Sequence, residues 1–209
     1  MSLGRVERGA GSGPAALPPT AFSIVYLCTG NRCRSPMAEA WTRHSAAERD
    51  LPLVAGSAGT LDLGPVGSPT HALAVMRRAG IDLSGHRARA LVRVDMASAD
   101  LVIGFERAHV AAAVVDGGVS YERVFTFIEL VRLLEESTEP FGEPGRADPE
   151  SRVEGARRVV DRAHGSRGEP HLGAGENLAD PYGAPAKVYE STSERIADLS
   201  GRLLGGLFG

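Results

Sequence analysis

The sequence predicts a single α/β domain with a mostly parallel four-stranded sheet and helices on both of its faces. Three observations predict this class. Four short apolar runs are typical of buried strands, helical patterns alternate with them, and 209 residues is an ordinary length for one domain with its own core. Strands that alternate with helices pair in parallel through right-handed crossovers, which cover both sheet faces with helices.

The first half of the chain predicts two strands, each followed by a helix. The first strand is β-branched and aromatic and ends at a turn that contains Gly and Asn. The helices are predicted from a hydroxyl residue at the N-cap and an apolar face at helical spacing, and the second ends at a glycine. These elements are a strand over Phe22–Leu27, a helix from a Ser35 cap through Pro36 to about Arg49, a strand near Leu53–Ser57 and a helix from a Thr70 cap to Gly80.

The second half predicts two more strands and three helices. A glycine pair stops the helix after the third strand, and the fourth strand runs directly into a short helix. A closing helix carries an apolar stripe of Ile196, Leu199, Leu203 and Leu207. The other elements are a strand over Ala99–Gly104, a helix over Glu106–Val115, a strand over Tyr121–Phe127 and a helix near Ile128–Glu135.

Two segments do not fit this alternation. Residues 1–20 are rich in Gly, Pro, Ala and Ser without an apolar period, which predicts a disordered N-terminal tail before a domain that spans residues 21–209. Residues 136–177 form a polar stretch rich in Pro, Gly, Glu and Arg, which we interpret as an insertion with one exposed helix around Ser151–His164. A connection of this length inside a compact domain is usually functional or mobile.

Composition excludes several classes of protein. The 23 basic and 26 acidic side chains give a net charge of −3, which argues against nucleic acid as the partner. Cys28 and Cys33 are the only cysteines, so a disulfide-framed secreted fold is excluded and a reducing, cytoplasmic location is expected. No apolar run approaches the roughly 18 residues of a membrane helix, and the first 20 residues lack a signal-peptide pattern. No tight cluster of His, Cys and acidic residues predicts a metal site.

The loop between the first strand and first helix, CTGNRCRS over residues 28–35, carries the chemistry. A loop that wraps a helix N-terminus aims several backbone N–H groups at one point, and Gly30 and Asn31 tolerate the positive φ angles that such a cradle needs. Arg34 adds a planar fork for two phosphate oxygens, and the same positive field would hold Cys28 as the nucleophilic thiolate. The segment therefore predicts a phosphate held in line with a sulfur nucleophile.

Transfer of a phosphoryl group to a thiolate needs a proton donor for the leaving oxygen, because an alkoxide or phenoxide leaves poorly unaided. Asp180 is the candidate. It precedes Pro181, which restricts the aspartate to extended conformations and stiffens its loop.

Together these segments resemble the low-molecular-weight protein tyrosine phosphatase family. The resemblance rests on four motifs in the family's order: the loop at residues 28–35, SAGT at 57–60, SGHRAR at 84–89 and DPY at 180–182. It covers the chain from Phe22 onward except residues 136–177, and it implies a sheet of flavodoxin-like order with no metal or other cofactor. By resemblance, Cys28 is the nucleophile, Arg34 the phosphate clamp, and Asp180 the acid and then the base.

The resemblance also implies roles for the surrounding residues. The loop from Thr29 to Arg34 would bind phosphate, and Tyr182 would form a wall of the substrate slot. Cys33 would trap an oxidised Cys28 as a disulfide, which gives the site a redox-sensitive character. Asn31, Ser35, Ser57 and His86 would hold the loop and stabilise the thiolate.

Two departures from the family bear on the substrate. The family's tyrosine phosphatases usually carry an apolar residue at the position of Arg32, and its arginine-phosphatase branch carries a threonine. The Arg32 side chain either points to solvent, which we favour, or reaches toward an acidic substrate. Leu63 stands in a region where many members place an aromatic residue. The other histidines, among them His109, are expected at the surface or at helix caps.

The predicted function is hydrolysis of phosphate monoesters of the phosphotyrosine type through a phosphocysteine intermediate. Three alternatives stay open: a phosphoarginine-directed phosphatase, an arsenate reductase that uses an external small thiol, and a non-catalytic phosphoprotein-binding module. The predicted partner is a phosphorylated protein, with no nucleic acid or membrane involved, and the chain is expected to be a monomer or weak homodimer.

Overall fold

Four parallel strands, β1 (Phe22–Cys28), β2 (Leu53–Gly59), β3 (Leu101–Gly104) and β4 (Val124–Thr126), form one sheet in the order β2-β1-β3-β4. This computed structural model describes residues 21–137, 148–168 and 176–209, so the predicted tail over residues 1–20 lies outside the described residues, as do residues 138–147 and 169–175 of the predicted insertion. The α/β class, the parallel pairing and the strand order are as predicted.

Helices cover both faces of the sheet, because the side chains of a strand alternate between its faces. In β1, Phe22, Ile24 and Tyr26 face the larger core, and Val25 and Leu27 face the smaller one. One helix, α3, packs on the smaller core, and the other helices of the described segments build the larger core. The helices are α1 (Arg34–Glu48), α2 (Thr70–Arg78), α3 (Arg107–Val115), α4 (Phe127–Glu136), α5 (Pro149–Gly165) and α6 (Ala186–Phe208).

Both hydroxyl N-caps predicted for the first two helices are wrong. Helix α1 begins at Arg34, and Ser35 lies inside its first turn with its hydroxyl 3.0 Å from the Cys28 sulfur. The predicted cap is therefore a part of the phosphate loop. Thr70 is the first residue of α2, and Pro69 occupies its N-cap position.

Strands β3 and β4 begin later than predicted. The Asp100 carboxylate accepts a hydrogen bond from the Ser23 backbone N–H at 2.8 Å. This side-chain bond replaces the backbone pairing that would otherwise extend the ladder between β1 and β3 before Leu101. Before β4, residues 121–123 form a 3₁₀ turn. Helix α4 then starts with a capping box between Thr126 and Glu129.

Helix α5 corrects the prediction of an exposed helix in the polar stretch. Its start follows from the Asp148 carboxylate, which caps the Ser151 N–H at 3.0 Å, and from Pro149 in its first turn. Its apolar side chains recur every three or four residues and are buried in the larger core, although the surrounding composition is polar. They are Val153, Ala156, Val159, Val160 and Ala163.

Of the helices in the described ranges, none combines the length and apolar character needed to cross a bilayer.

Candidate active site

The loop that predicts phosphate binding lies at the carboxyl end of β1, the central strand flanked by β2 and β3. Asn31 adopts a φ of 49°, in the left-handed region that asparagine tolerates better than most residues. Gly59, at the end of β2, packs against the back of the loop, where a Cβ atom would lie 2.9 Å from both the Asn31 nitrogen and the Thr29 oxygen. The close approach therefore requires glycine at position 59.

Several carbonyl groups of the loop have partners, whereas its backbone N–H groups have none among the described residues. The Cys28 and Thr29 carbonyls each accept a backbone N–H at 2.9 Å, from Thr60 and Leu61. His86 Nε2 donates to the Asn31 carbonyl at 2.7 Å, and burial lowers the pKa of His86, which keeps the ring neutral. Among the described residues, no protein acceptor receives a backbone N–H of residues 29–33. A row of such donors is an anion-binding nest.

A chain of buried hydrogen bonds ends at the Cys28 sulfur. Asn31 Nδ2 donates to the Ser35 hydroxyl at 2.9 Å and to the Ser57 hydroxyl at 2.8 Å, and Ser57 donates to Glu39 at 2.6 Å. The Ser35 hydroxyl accepts from Asn31 and lies between two groups, the Cys28 sulfur at 3.0 Å and the Ala58 carbonyl at 3.3 Å, to which it can donate. The Cys28 sulfur therefore lies within hydrogen-bond distance of a buried hydroxyl that Asn31 holds in place. The sequence analysis did not identify Glu39 as part of the site. The available signal was its position, which puts an acidic side chain one helical turn after Ser35.

Arg34 is fully buried and is fixed by several acceptors. One terminal nitrogen donates to Glu106 and, at 2.9 Å, to the Leu178 carbonyl, and the other donates to Asp180 at 2.6 Å. Its Nε is buried and has no partner within the described residues. Glu106 was missed by sequence reasoning, although its place just after β3 puts it at the same sheet edge as the loop.

The segment around Asp180 is anchored at that edge. The Leu178 N–H donates to the Phe105 carbonyl at 2.8 Å, and the Tyr182 N–H donates to the second Asp180 oxygen at 3.1 Å. The structure therefore brings the carboxyl predicted as acid to the guanidinium predicted as clamp, across 146 positions of the sequence.

Arg32 does not point freely to solvent, which corrects the interpretation that we favoured. Its Nε donates to the Gly67 carbonyl at 3.1 Å, and one of its terminal nitrogens donates to the Tyr182 hydroxyl at 3.0 Å. The guanidinium carbon lies 5.1 Å from the centre of the Tyr182 ring. Tyr182 itself is 59% exposed. These contacts connect the phosphate loop to the Asp180 segment.

His109 is buried, so its prediction as a surface residue is wrong, whereas the alternative of a cap fits its place in the first turn of α3, where its ring accepts a backbone N–H from just before the helix. Its Nδ1 accepts the Phe105 N–H at 3.2 Å, which places the proton of the neutral ring on Nε2, 3.1 Å from the Thr29 hydroxyl. Burial, together with the positive charge of Arg34, lowers the pKa of His109 to about 4. The ring is therefore a neutral support beneath the loop.

Replacing His109 with glutamine should weaken the pH dependence of folding stability. The unfolded chain takes up this proton near pH 6.5, whereas the folded protein resists it until about pH 4. Stability present above pH 6.5 is thus lost as the pH falls toward 4, by at most about 3 kcal/mol. Urea unfolding at pH 7 and pH 4.5 should show a loss about 2 kcal/mol larger in the wild type than in the variant. Equal losses would contradict this assignment.

Cys33 is buried at the N-terminus of α1, and its sulfur lies 3.9 Å from the Tyr189 hydroxyl. Burial raises the pKa of the Cys33 thiol to about 12, so this thiol stays protonated at neutral pH. Both cysteines are free thiols.

Comparison with known proteins places this geometry in a family. Residues 23–162 match the low molecular weight phosphotyrosine protein phosphatase family. A protein-arginine-phosphatase of Bacillus subtilis (strain 168) is 36% identical over 111 residues, which cover 53% of this chain and 73% of that protein. An arsenate reductase of Staphylococcus aureus (strain bovine RF122 / ET3-1) is 37% identical over 67 residues, which cover 32% of this chain and 47% of that protein.

A solved structure supports the same placement. A low molecular weight protein tyrosine phosphatase from T. tengcongensis superposes with a TM-score of 0.64 at 26% identity, covering 88% of this chain and 99% of that chain. The matched segments span 53% to 73% of the length of the first three curated relatives. Because the family match covers well over half of the chain, this protein belongs to the low molecular weight phosphotyrosine protein phosphatase family.

Proposed function

We propose that the protein hydrolyses phosphate monoesters of the phosphotyrosine type through a phosphocysteine intermediate. One observation carries the proposal. The backbone N–H groups of residues 29–33 and the buried Nε of Arg34 have no protein acceptor among the described residues, and they belong to the loop that begins at Cys28. Such donors suit the oxygens of a transferring phosphoryl group, whose stabilisation is the dominant electrostatic contribution to this reaction.

In the first step, the Cys28 sulfur attacks phosphorus and the bond from phosphorus to the ester oxygen breaks. Asp180 gives its proton to the leaving oxygen, so the alcohol or phenol departs neutral. The Tyr182 N–H orients the Asp180 carboxyl, and Arg34 holds the phosphoryl oxygens.

In the second step, a water molecule attacks the phosphorus of phosphocysteine while the Asp180 carboxylate takes its proton. The sulfur–phosphorus bond breaks, which releases inorganic phosphate and restores the Cys28 thiolate. The Ser35 hydroxyl, 3.0 Å from the sulfur, stabilises the thiolate as a leaving group.

The alternatives differ in support. The relative named protein-arginine-phosphatase favours a phosphoarginine substrate as the second candidate. An arsenate reductase reaction needs further thiols, and both cysteines of this chain lie in the phosphate loop, so only an external thiol could complete that cycle. A binding module would need neither the Cys28 thiol nor the Asp180 carboxyl.

Several finer assignments accompany this proposal. The place of both cysteines in one loop supports a protective disulfide between Cys28 and Cys33 after oxidation, and a chain with only these two cysteines suits a reducing, cytoplasmic location. A phosphorylated protein is the proposed partner, and a monomer or weak homodimer the proposed state.

Replacing Asp180 with asparagine tests the function through the leaving group. Without the acid, kcat/KM for phenyl phosphate, which covers the reaction only as far as release of the phenol, should fall by roughly 10²–10⁴-fold. The loss for p-nitrophenyl phosphate should be much smaller, because nitrophenolate leaves without a proton.

The matched control is Asp161→Asn, which removes an exposed carboxylate from α5. It should leave both rates unchanged. Equal losses of kcat/KM for the two substrates in Asp180→Asn would contradict the acid role, and a wild type that turns over neither substrate would contradict the proposed function.

A further inference from the structure

Arg32 carries a charge at the mouth of the site that no part of the proposed reaction uses. Its side chain starts in the middle of the phosphate loop and is held there by Gly67 and Tyr182. A Cβ atom at Gly30 would lie 3.2 Å from Leu63 Cδ1 and 3.9 Å from Arg32 Cγ, so both side chains lie over Gly30. Leu63 and Tyr182 are 44% and 59% exposed. Arg32 thus lies among the residues that an incoming phosphorylated side chain must pass.

The charge of Arg32 is not neutralised by any carboxylate of the described residues. Both of its acceptors are neutral, a backbone carbonyl and a phenol. The neighbouring carboxylates are engaged elsewhere, since Asp180 pairs with Arg34 at 2.6 Å and Asp62 pairs with Arg93 at 2.8 Å. Arg34, by contrast, has two carboxylate partners. At the mouth, Arg32 therefore presents a guanidinium that no carboxylate of the described residues compensates.

We infer that Arg32 selects the substrate, favouring phosphotyrosine that is flanked by acidic residues and disfavouring phosphoarginine. This inference rests on the proposed function and names its substrate class. A carboxylate beside the phosphotyrosine would pair with the guanidinium at the rim. A phosphoarginine side chain keeps a delocalised positive charge next to phosphorus, which would enter past the like charge of Arg32. The aromatic ring of phosphotyrosine meets the exposed faces of Leu63 and Tyr182 instead.

The test uses the full chain and peptides of one sequence. Phosphotyrosine is flanked on both sides by Glu, Gln or Lys, and phosphoarginine is flanked by Gln. The readout is the ratio of kcat/KM values for two peptides with the same enzyme, so a general loss of activity cancels. The variants are Arg32→Gln, which removes the charge, Arg32→Lys, which keeps it, and Arg158→Gln, an exposed arginine on α5 that serves as the control.

The wild type should prefer the Glu-flanked over the Lys-flanked peptide by about tenfold, the effect of two exposed charge pairs. This ratio should fall near one in Arg32→Gln, survive in Arg32→Lys and match the wild type in Arg158→Gln. The preference for phosphotyrosine over phosphoarginine should fall about fivefold or more in Arg32→Gln. Raising the ionic strength should lower the wild-type ratio.

The inference is overturned if the wild type and Arg32→Gln give the same ratios, because Arg32 would then only connect two loops. It is also overturned if the wild type cleaves p-nitrophenyl phosphate in a Cys28-dependent way without any flanking preference. A wild type that hydrolyses neither the peptides nor p-nitrophenyl phosphate would instead overturn the proposed function, and the substrate inference with it.

Discussion

Replacing Cys28 with serine is expected to reduce hydrolysis of p-nitrophenyl phosphate by at least about 10⁴-fold. A serine hydroxyl is almost entirely protonated at neutral pH, so it is a far weaker nucleophile than a thiolate. The buried site, only 2% exposed, loses little volume, so the loop and its N–H groups should keep their positions. Steady-state kinetics gives the rate, and calorimetric titration with inorganic phosphate should show that the variant still binds the anion.

Cys33→Ser is the matched control for this prediction, because it makes the same atomic change in the same loop. Cys33 lies against Tyr189, and its raised pKa keeps it a thiol. Its replacement should cost about tenfold or less in kcat. If Cys28→Ser retained turnover within tenfold of Cys33→Ser, the phosphocysteine route would be wrong. If Cys28→Ser lost activity and phosphate binding together, the substitution would have disrupted the loop. The phosphoenzyme of the wild type would then be trapped, and a phosphate group found on a residue other than Cys28 would contradict the phosphocysteine route.

Replacing Arg34 with lysine is expected to reduce kcat/KM by about 10³-fold or more, although the formal charge is retained. The guanidinium donates to Glu106, Asp180 and the Leu178 carbonyl while its Nε is left over for a ligand. A single ammonium cannot hold this set and also clamp two phosphoryl oxygens. The variant should also lose about 1–3 kcal/mol of unfolding free energy, since the buried cation loses a hydrogen bond to a partly exposed carboxylate.

Arg202→Lys controls for the loss of an arginine that bridges two carboxylates. Arg202 lies on the surface of α6, where it pairs with Glu135 and Asp198. Its side chain is more exposed than that of Arg34, and it has no part in the proposed reaction. Its replacement should cost less than about 1 kcal/mol and leave kcat/KM unchanged. A wild-type kcat/KM in Arg34→Lys, measured on protein shown to be folded by circular dichroism, would contradict the clamp.

The phosphate loop shows most clearly which features could be predicted from the sequence. Local patterns placed the loop correctly, because consecutive residues signal a β-branched strand, then a turn of glycine and asparagine, and then the start of a helix. The same reasoning assigned Ser35 to a helix cap, since a serine before proline is a common cap. The hydroxyl points instead at a sulfur seven residues earlier, a contact that depends on how the loop folds back.

Other errors share one cause, which is that exposure is decided by distant neighbours. Helix α5 was expected to be exposed because of its polar surroundings, yet its apolar stripe packs in the larger core. His109 was expected at the surface or at a helix cap, and its ring is buried beside Thr29 at the start of α3. Arg32 was expected to point to solvent, and its partner Tyr182 is 150 positions away.

By itself, the sequence determined the α/β class, the central loop with its cysteine and arginine, and the aspartate expected to act with them. The class and the loop are local features, because strand and helix periods and loop chemistry depend on neighbouring residues, whereas the role of the aspartate came from the resemblance to the family. Only the tertiary structure decided that Glu106 and Asp180 share Arg34, that Glu39 ends the hydrogen-bond chain to Cys28, and that Arg32 stays uncompensated at the mouth. Which charges meet is fixed by the packing of strands and helices far apart in the chain, and no local pattern records it.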